Sequence, residues 1–170
     1  IDETEGVKRI EDRNGNWVEI AATGVTSSSG RDAAFVRDAE NRITTITDPA
    51  NKTIVYAYDA NGDLVSVIDQ NAKETLFTYD TGHYLVSIEN PEGKKPLRSE
   101  YYTDGRLKAQ TDGEGNRTVY TYDIAARKET VTTANGHSIT YVYDSKGNVV
   151  EEADSLVGTT AYTYDADNNV

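Results

Sequence analysis

No cysteine occurs anywhere in the chain, which rules out disulfides and thiolate metal sites while leaving the compartment open. Basic residues are scarce and scattered: 17 Lys and Arg stand against 29 Asp and Glu, for a net charge of -12. Neutralising phosphates needs clustered Lys and Arg, so nucleic acid and anionic membrane are excluded as partners. No apolar run is long enough to span a membrane, and no signal-peptide pattern begins at Ile1, so any export address is expected outside this segment. Hydrophobic residues make up 36%. Counting the 13 glycines in place of the 12 tyrosines barely changes that share, which stays below the roughly 45–50% of typical globular chains. A thick two-layer core is not expected. The 3.6-residue apolar period of a helix is missing too, and Thr, Val, Ile and Tyr dominate between turn residues, so the chain reads as all-β.

What the chain does have is a repeat, and its clearest copy is Tyr56-Ala-Tyr58-Asp59-Ala-Asn-Gly62-Asp-Leu64. Tyr56 and Tyr58 are two apart and share one face of a strand. Asp59 and Gly62 bracket a tight turn with an acceptor side chain first and glycine fourth, and Leu64 opens the next strand. With Tyr58 as anchor, equivalent positions are Glu11, Arg37, Tyr79, Tyr101, Tyr122, Tyr143 and Tyr164. From Arg37 onward the steps are 21, 21, 22, 21, 21 and 21 residues, a fixed period that marks a repeat architecture. Asp12, Asp38, Asp80, Asp123, Asp144 and Asp165 follow their anchors directly; Tyr101 is followed by Tyr102 instead, with Asp104 two residues further on. Two residues before the anchors stand Phe35, Phe77, Tyr120, Tyr141 and Tyr162. Gly147 repeats the turn glycine, and an apolar residue recurs six past the anchor, with Lys128 as the polar exception.

A second turn of the same grammar follows about ten residues later in each unit, as in Asp48-Pro49-Ala50-Asn51 and Asp112-Gly113-Glu114-Gly115. Strands joined by tight turns pair antiparallel, so the expected fold is one long meander of about fifteen strands; sheets beyond about ten rarely stay open without curling, and strong curvature is expected. Leu64 and Val67 are three apart, as are Ile43 and Ile46. Strict alternation would put them on opposite faces, so either both faces are partly apolar or a bulge follows the glycine turn. The whole of 1–170 is expected to be a single array, degenerate over 1–41 and regular over 42–170, with Thr23–Gly30 inserted as a polar surface loop. The chain is expected to be a piece of a larger protein, with open sheet edges prone to self-association.

The recurring Tyr-x-Tyr-Asp-x-x-Gly-x-Leu resembles the tyrosine-aspartate repeats of Rhs proteins, of the BC components of bacterial Tc toxin complexes, of wall-associated polymorphic toxins and of animal teneurins. The resemblance covers essentially the whole chain, strongly from Ala33 to Val170. It implies a segment of a hollow β-shell from a secreted or cell-surface protein, partnered by the rest of its own shell and by an enclosed toxin domain. Tyr58, Tyr79, Tyr122, Tyr143 and Tyr164, each followed by Asp, match the motif directly, whereas Arg37 and Glu11 depart from it. The family's shell-closing core segment has no counterpart, so its self-cleavage is not carried over.

No residues stand out as catalytic, cofactor-binding or metal-binding. Nearly all carboxylates sit at turns, where Asp accepts backbone N–H bonds, and no Ser or Cys nucleophile recurs beside His83 or His137, which read as exposed turn residues. Asp112–Asn116 and Asp165–Asn169 resemble the start of a calcium loop but lack its distal glutamate. The function expected is therefore structural and non-catalytic. The alternative is an adhesive or glycan-binding module using exposed tyrosine faces, although aromatics in register on neighbouring hairpins more often pack on one another.

Overall fold

The structure, a computed structural model, describes residues 7–170; the first residues of the degenerate stretch lie outside the described residues. Among the described residues every regular element is a strand, and sixteen of them follow chain order in one antiparallel sheet. Two compact units divide the chain within the eighth strand, one reaching to Phe77 and the other starting at Thr78.

The first unit contains β1 (Arg9–Glu11), β2 (Trp17–Ala21), β3 (Gly24–Ser27), β4 (Ala33–Arg37), β5 (Ile43–Thr47), β6 (Thr53–Tyr58) and β7 (Leu64–Ile68), with most of β8 (Glu74–Tyr79). β3 is the element that the sequence reading took for a loop. Residues 23–30 do not make an open excursion; they add a strand paired to β2 through Val25↔Ile20 and to β4 through Gly24↔Ala34. That raises the strand number from about fifteen to sixteen. Gly24 makes it possible: its φ is +152°, and a Cβ there would stand 2.1 Å from the Ala33 carbonyl oxygen. Only glycine lets β4 approach so closely.

The second unit continues with β9 (Leu85–Glu89), β10 (Leu97–Tyr101), β11 (Leu107–Asp112), β12 (Arg117–Asp123), β13 (Lys128–Thr132), β14 (Ser138–Tyr143), β15 (Val149–Asp154) and β16 (Gly158–Ala161). In both units most turns of the two families share one geometry. At Asp59 the Gly62 N–H donates to the Asp59 carbonyl at 3.1 Å and the Asp59 N–H donates to the Asp63 carbonyl at 2.9 Å. At Asp69 the Ala72 and Asp69 N–H groups make the same two bonds at 3.0 and 2.9 Å. This is a three-residue hairpin loop whose last residue is left-handed: Gly62 has φ +94°, and Asn41, Asn51, Ala72 and His83 do the same work at about 60°.

What separates the turn families is the bulge. After the tyrosine-aspartate turn, Tyr58 pairs with Leu64 but Ala57 pairs with Ser66, so Val65 is extra. The same shift leaves Thr44, Lys108 and Val150 unpaired. After the second turn, β5–β6 and β7–β8 run without a shift. The bulge answers the three-residue spacing: Leu64 lies opposite Tyr58 and Val67 opposite Tyr56, so both apolar residues join the tyrosine face. The reverse face carries small residues, with Ser66, Ser87 and Ala109 buried at equivalent positions. Ala109 is the one buried hydrophobic residue among the described residues, and no large side chain is fully buried there. Stability therefore rests on half-buried rings and the hydrogen-bonded sheet.

Candidate functional site

The bulge has a cost at the backbone, and the anchor residues repair it. β5–β6 pairing stops at Thr45↔Val55, leaving the Ile43 carbonyl beyond the ladder. The Tyr58 hydroxyl donates to it at 3.0 Å. Tyr101 does the same for Leu85 at 2.9 Å, Tyr122 for Leu107 at 3.0 Å and Tyr164 for Val149 at 2.9 Å. In each case the acceptor is the first strand residue after the preceding turn, outside the paired stretch. A half-buried carbonyl without a partner is costly, so the repeated tyrosine is a hydrogen-bond cap as much as an apolar surface. Sequence reasoning saw the aromatic packing and missed this.

Arg37, which departs from the motif in sequence, fills the same role. Its Nε donates to the Ala22 carbonyl at 2.8 Å, and Nη1 donates to the Asn41 carbonyl at 2.8 Å. A guanidinium and a phenol are different chemistry, but both carry a donor far enough from the backbone to reach the neighbouring strand's end.

Covers sit over the rings. The Arg42 guanidinium lies 4.5 Å from the Tyr58 ring centroid and Arg106 lies 4.7 Å from that of Tyr122, while Tyr84 stacks on Tyr101 with centroids 5.0 Å apart. Each cover is the residue just after the left-handed position of the preceding turn, a signal present in the sequence at 42, 84 and 106 but hidden by its mixed chemistry. Tyr84 also fixes a glycine: a Cβ on Gly105 would fall 2.1 Å from the Tyr84 hydroxyl. Each arginine cover is tied down by a carboxylate, Arg42 Nε to Asp38 Oδ2 at 2.8 Å and Arg106 Nε to Asp104 Oδ2 at 2.9 Å. The Tyr102 hydroxyl, outside the motif, donates to the Tyr120 carbonyl at 3.0 Å.

The aspartates hold the turns. Asp59 Oδ1 accepts from the Asn61 and Asp63 N–H groups at 2.9 and 3.0 Å; Asp80, Asp144 and Asp165 repeat the pair. These donors hold the carboxyls of Asp59 and Asp144 below the usual carboxylate range, with the N–H of Asp63 and of Asn148 as the leading causes. At Asp165 the Asn169 N–H leads. Asp123 accepts one such bond, from Ala126 N–H at 2.9 Å.

That turn is the irregular one. Tyr122 pairs with Glu129 and Asp123 with Lys128, so the loop holds four residues and no bulge follows. The turn after Tyr122 is thus a longer loop, with Arg127 left-handed at φ +50°. Lys128 is drawn into pairing with both Asp123 and Val142. Its carbonyl is not left beyond the ladder, and the Tyr143 hydroxyl bonds Glu129 Oε2 instead, at 3.1 Å. Burial and Glu129 together push the phenols of Tyr122 and Tyr143 above their ordinary range.

His137 is not a plain exposed turn residue. Its Nε2 lies 2.9 Å from Asp154 Oδ1, with the side chains 25% and 16% exposed, so the ring ties its turn to the next hairpin. Tyr56 and Tyr141 lie half-buried on the tyrosine face, and the Tyr162 hydroxyl bonds Glu152 Oε2 at 3.3 Å. Among the described residues no group of three or more His, Cys, Asp or Glu is placed to hold a metal, and no helix is long and apolar enough to cross a membrane.

Known repeats and known folds are similar to this chain. The RHS Repeat family model matches residues 58–95 and 101–138. The fold is similar to a crystal structure of TcdB2-TccC3 without its hypervariable C-terminal region, with TM-score 0.66 and 17% identity over 93% of this chain and 10% of that one. A TcdB2-TccC3-Cdc42 crystal structure matches at TM-score 0.57 and 16% identity, over 93% of this chain and 8% of that one. A Photorhabdus luminescens Tc holotoxin pore matches at 0.54 and 15%, over 90% of this chain and 9% of that one. The chain therefore spans a tenth or less of the length of these structures. No curated protein matches the sequence. The chain is thus similar to the RHS Repeat family over residues 58–95 and 101–138, and the same tyrosine-aspartate grammar continues on either side of them.

Proposed function

We propose that the chain is a non-catalytic wall segment of an encapsulating β-shell in a longer secreted or surface protein. On this reading the 170 residues form one array, joined to further repeats through the edges of β1 and β16 and facing an enclosed domain. The observation that carries the proposal is the hydroxyl-to-carbonyl tie of Tyr58, Tyr101, Tyr122 and Tyr164. These ties satisfy carbonyls that lie outside the paired stretches, which guards a one-layer sheet against water and invading strands at those points. The aspartates are engaged by turn N–H groups, as a wall requires and acid–base chemistry does not.

The test is proteolysis of the longer protein that contains this array. With the native array, a domain elsewhere in the protein is expected to resist protease. With Tyr58→Ala, Tyr101→Ala and Tyr122→Ala combined, the same domain should be digested, since truncating each aromatic costs roughly 3–5 kcal/mol at a packed site and less at these half-buried ones. Equal digestion with and without the substitutions would overturn the encapsulating role.

A further inference from the structure

The cover over Tyr58 and over Tyr122 is an arginine, but the cover over Tyr101 is a second phenol. Tyr84 and Tyr101 stack with ring centroids 5.0 Å apart and planes 30° from parallel. Tyr102 and Tyr122, the other tyrosine pair in ring contact among the described residues, meet edge to face at 6.0 Å and 77°. The turn between β8 and β9 is built around the Tyr84 ring. His83 takes the left-handed position at φ +64°, which glycine holds at Gly62, Gly105 and Gly147, and a glycine stands one residue earlier, at Gly82, where no positive φ calls for it. A Cβ on Gly82 would lie 2.7 Å from Tyr84 Cε2, and one on Gly105 would lie 2.1 Å from the Tyr84 hydroxyl. Two glycines thus make the space that holds this ring on Tyr101. Tyr84 is 39% exposed, and it is the one exposed tyrosine among the described residues.

We propose that Tyr84 and Tyr101 form a site of oxidative cross-linking to dityrosine, with a peroxide turned over by a haem peroxidase as the co-reactant. Each phenol gives one electron and one proton to the oxidant, which leaves two phenoxyl radicals on stacked rings and reduces the peroxide to water. An ortho carbon of each ring then joins the other in a carbon–carbon bond; the hydrogen on each of these carbons passes to its own oxygen, and both phenols are restored. Tyr101 can therefore keep its tie to the Leu85 carbonyl. Stacking directs the coupling, because a radical on exposed Tyr84 already has its partner ring in contact. The arginine covers at 42 and 106 have no such chemistry, and the edge-to-face contact of Tyr102 and Tyr122 aims the rim of one ring at the face of the other. With no cysteine for a disulfide, a bond between phenols is the cross-link that these residues supply. It closes residues 84–101 into a loop and, like a disulfide, restricts the unfolded chain. The link depends on this pair alone, not on whether the chain encloses another domain.

The experiment treats the folded 170-residue chain with hydrogen peroxide and a haem peroxidase. A monomer lighter by two hydrogen atoms is expected, with dityrosine fluorescence and a raised urea midpoint, and fragmentation of its peptides should place the link between Tyr84 and Tyr101. Tyr84→Phe keeps a ring in the glycine cradle but removes the phenol, so the link should be lost. Tyr84→Arg, which copies the cover at 42 and 106, should lose it too, whereas Tyr102→Phe should leave it unchanged. In urea the preference for this pair should vanish. No link within the monomer, a link between other tyrosines, a link that survives Tyr84→Phe, or the same preference in the unfolded chain would each overturn the proposal.

Discussion

The Tyr143 hydroxyl bonds the Glu129 carboxylate at 3.1 Å, whereas the hydroxyls of Tyr58, Tyr101, Tyr122 and Tyr164 bond main-chain carbonyls. The exchange follows from one missing bulge, which leaves Lys128 in the ladder and brings Glu129 opposite Tyr122. Burial, followed by the Glu129 charge, raises the Tyr122 phenol, and burial followed by the Glu129 hydrogen bond raises that of Tyr143. A raised folded-state value favours the protonated phenol. The stability it contributes is complete below the unfolded value of about 10 and is lost as pH rises through the folded values. Phenolate absorbance should show a late-ionising class among the 12 tyrosines, and Glu129→Gln should bring two of them back toward the ordinary range. A single ordinary titration for all tyrosines would contradict the placement of Glu129.

The turn aspartates have the opposite sign. Backbone donors lower Asp59, Asp69, Asp144 and Asp165, so their contribution is present above the unfolded value of about 3.9 and is lost as pH falls through the folded values. The urea midpoint should fall in that acid window. Asp59→Ala orphans two N–H groups and should lower the midpoint at neutral pH, whereas Asp59→Asn should cost much less. Asn90 already serves in this way, accepting from Glu92 and Lys94 N–H at 3.2 and 2.9 Å. Equal midpoints for the Ala and Asn variants would show that the side-chain acceptor is unimportant.

Gly24→Ala tests the added strand. With a Cβ 2.1 Å from the Ala33 carbonyl oxygen, β3 and β4 must separate, at a cost of about 2–4 kcal/mol. Amide exchange should accelerate at Val25 and Phe35, whose N–H groups lie along this junction. Unchanged exchange at both would mean that β3 does not depend on close approach.

The repeat, its period, its all-β character and the order of its strands were legible in the sequence because they rest on local chemistry. An acceptor at the first turn position and a left-handed residue at the fourth form a hairpin wherever they occur, and alternation then assigns faces. The bulges were legible only as alternatives, since the spacing of Leu64 and Val67 fits either a bulge or two apolar faces, and pairing across to Tyr58 and Tyr56 decided between them. β3 was hidden because small polar residues mark loops unless a neighbour supplies a strand to pair with, and that neighbour is β4 across Gly24. The roles of Arg37, His137 and Glu129 were hidden for a related reason. Each depends on a partner about fifteen residues away, at Ala22, Asp154 and Tyr143, and which donor meets which acceptor is set by register, which one-residue bulges shift. Local turn chemistry was thus in the sequence; the cross-strand hydrogen bonds that cap the carbonyls outside the paired stretches were settled only when the strands paired.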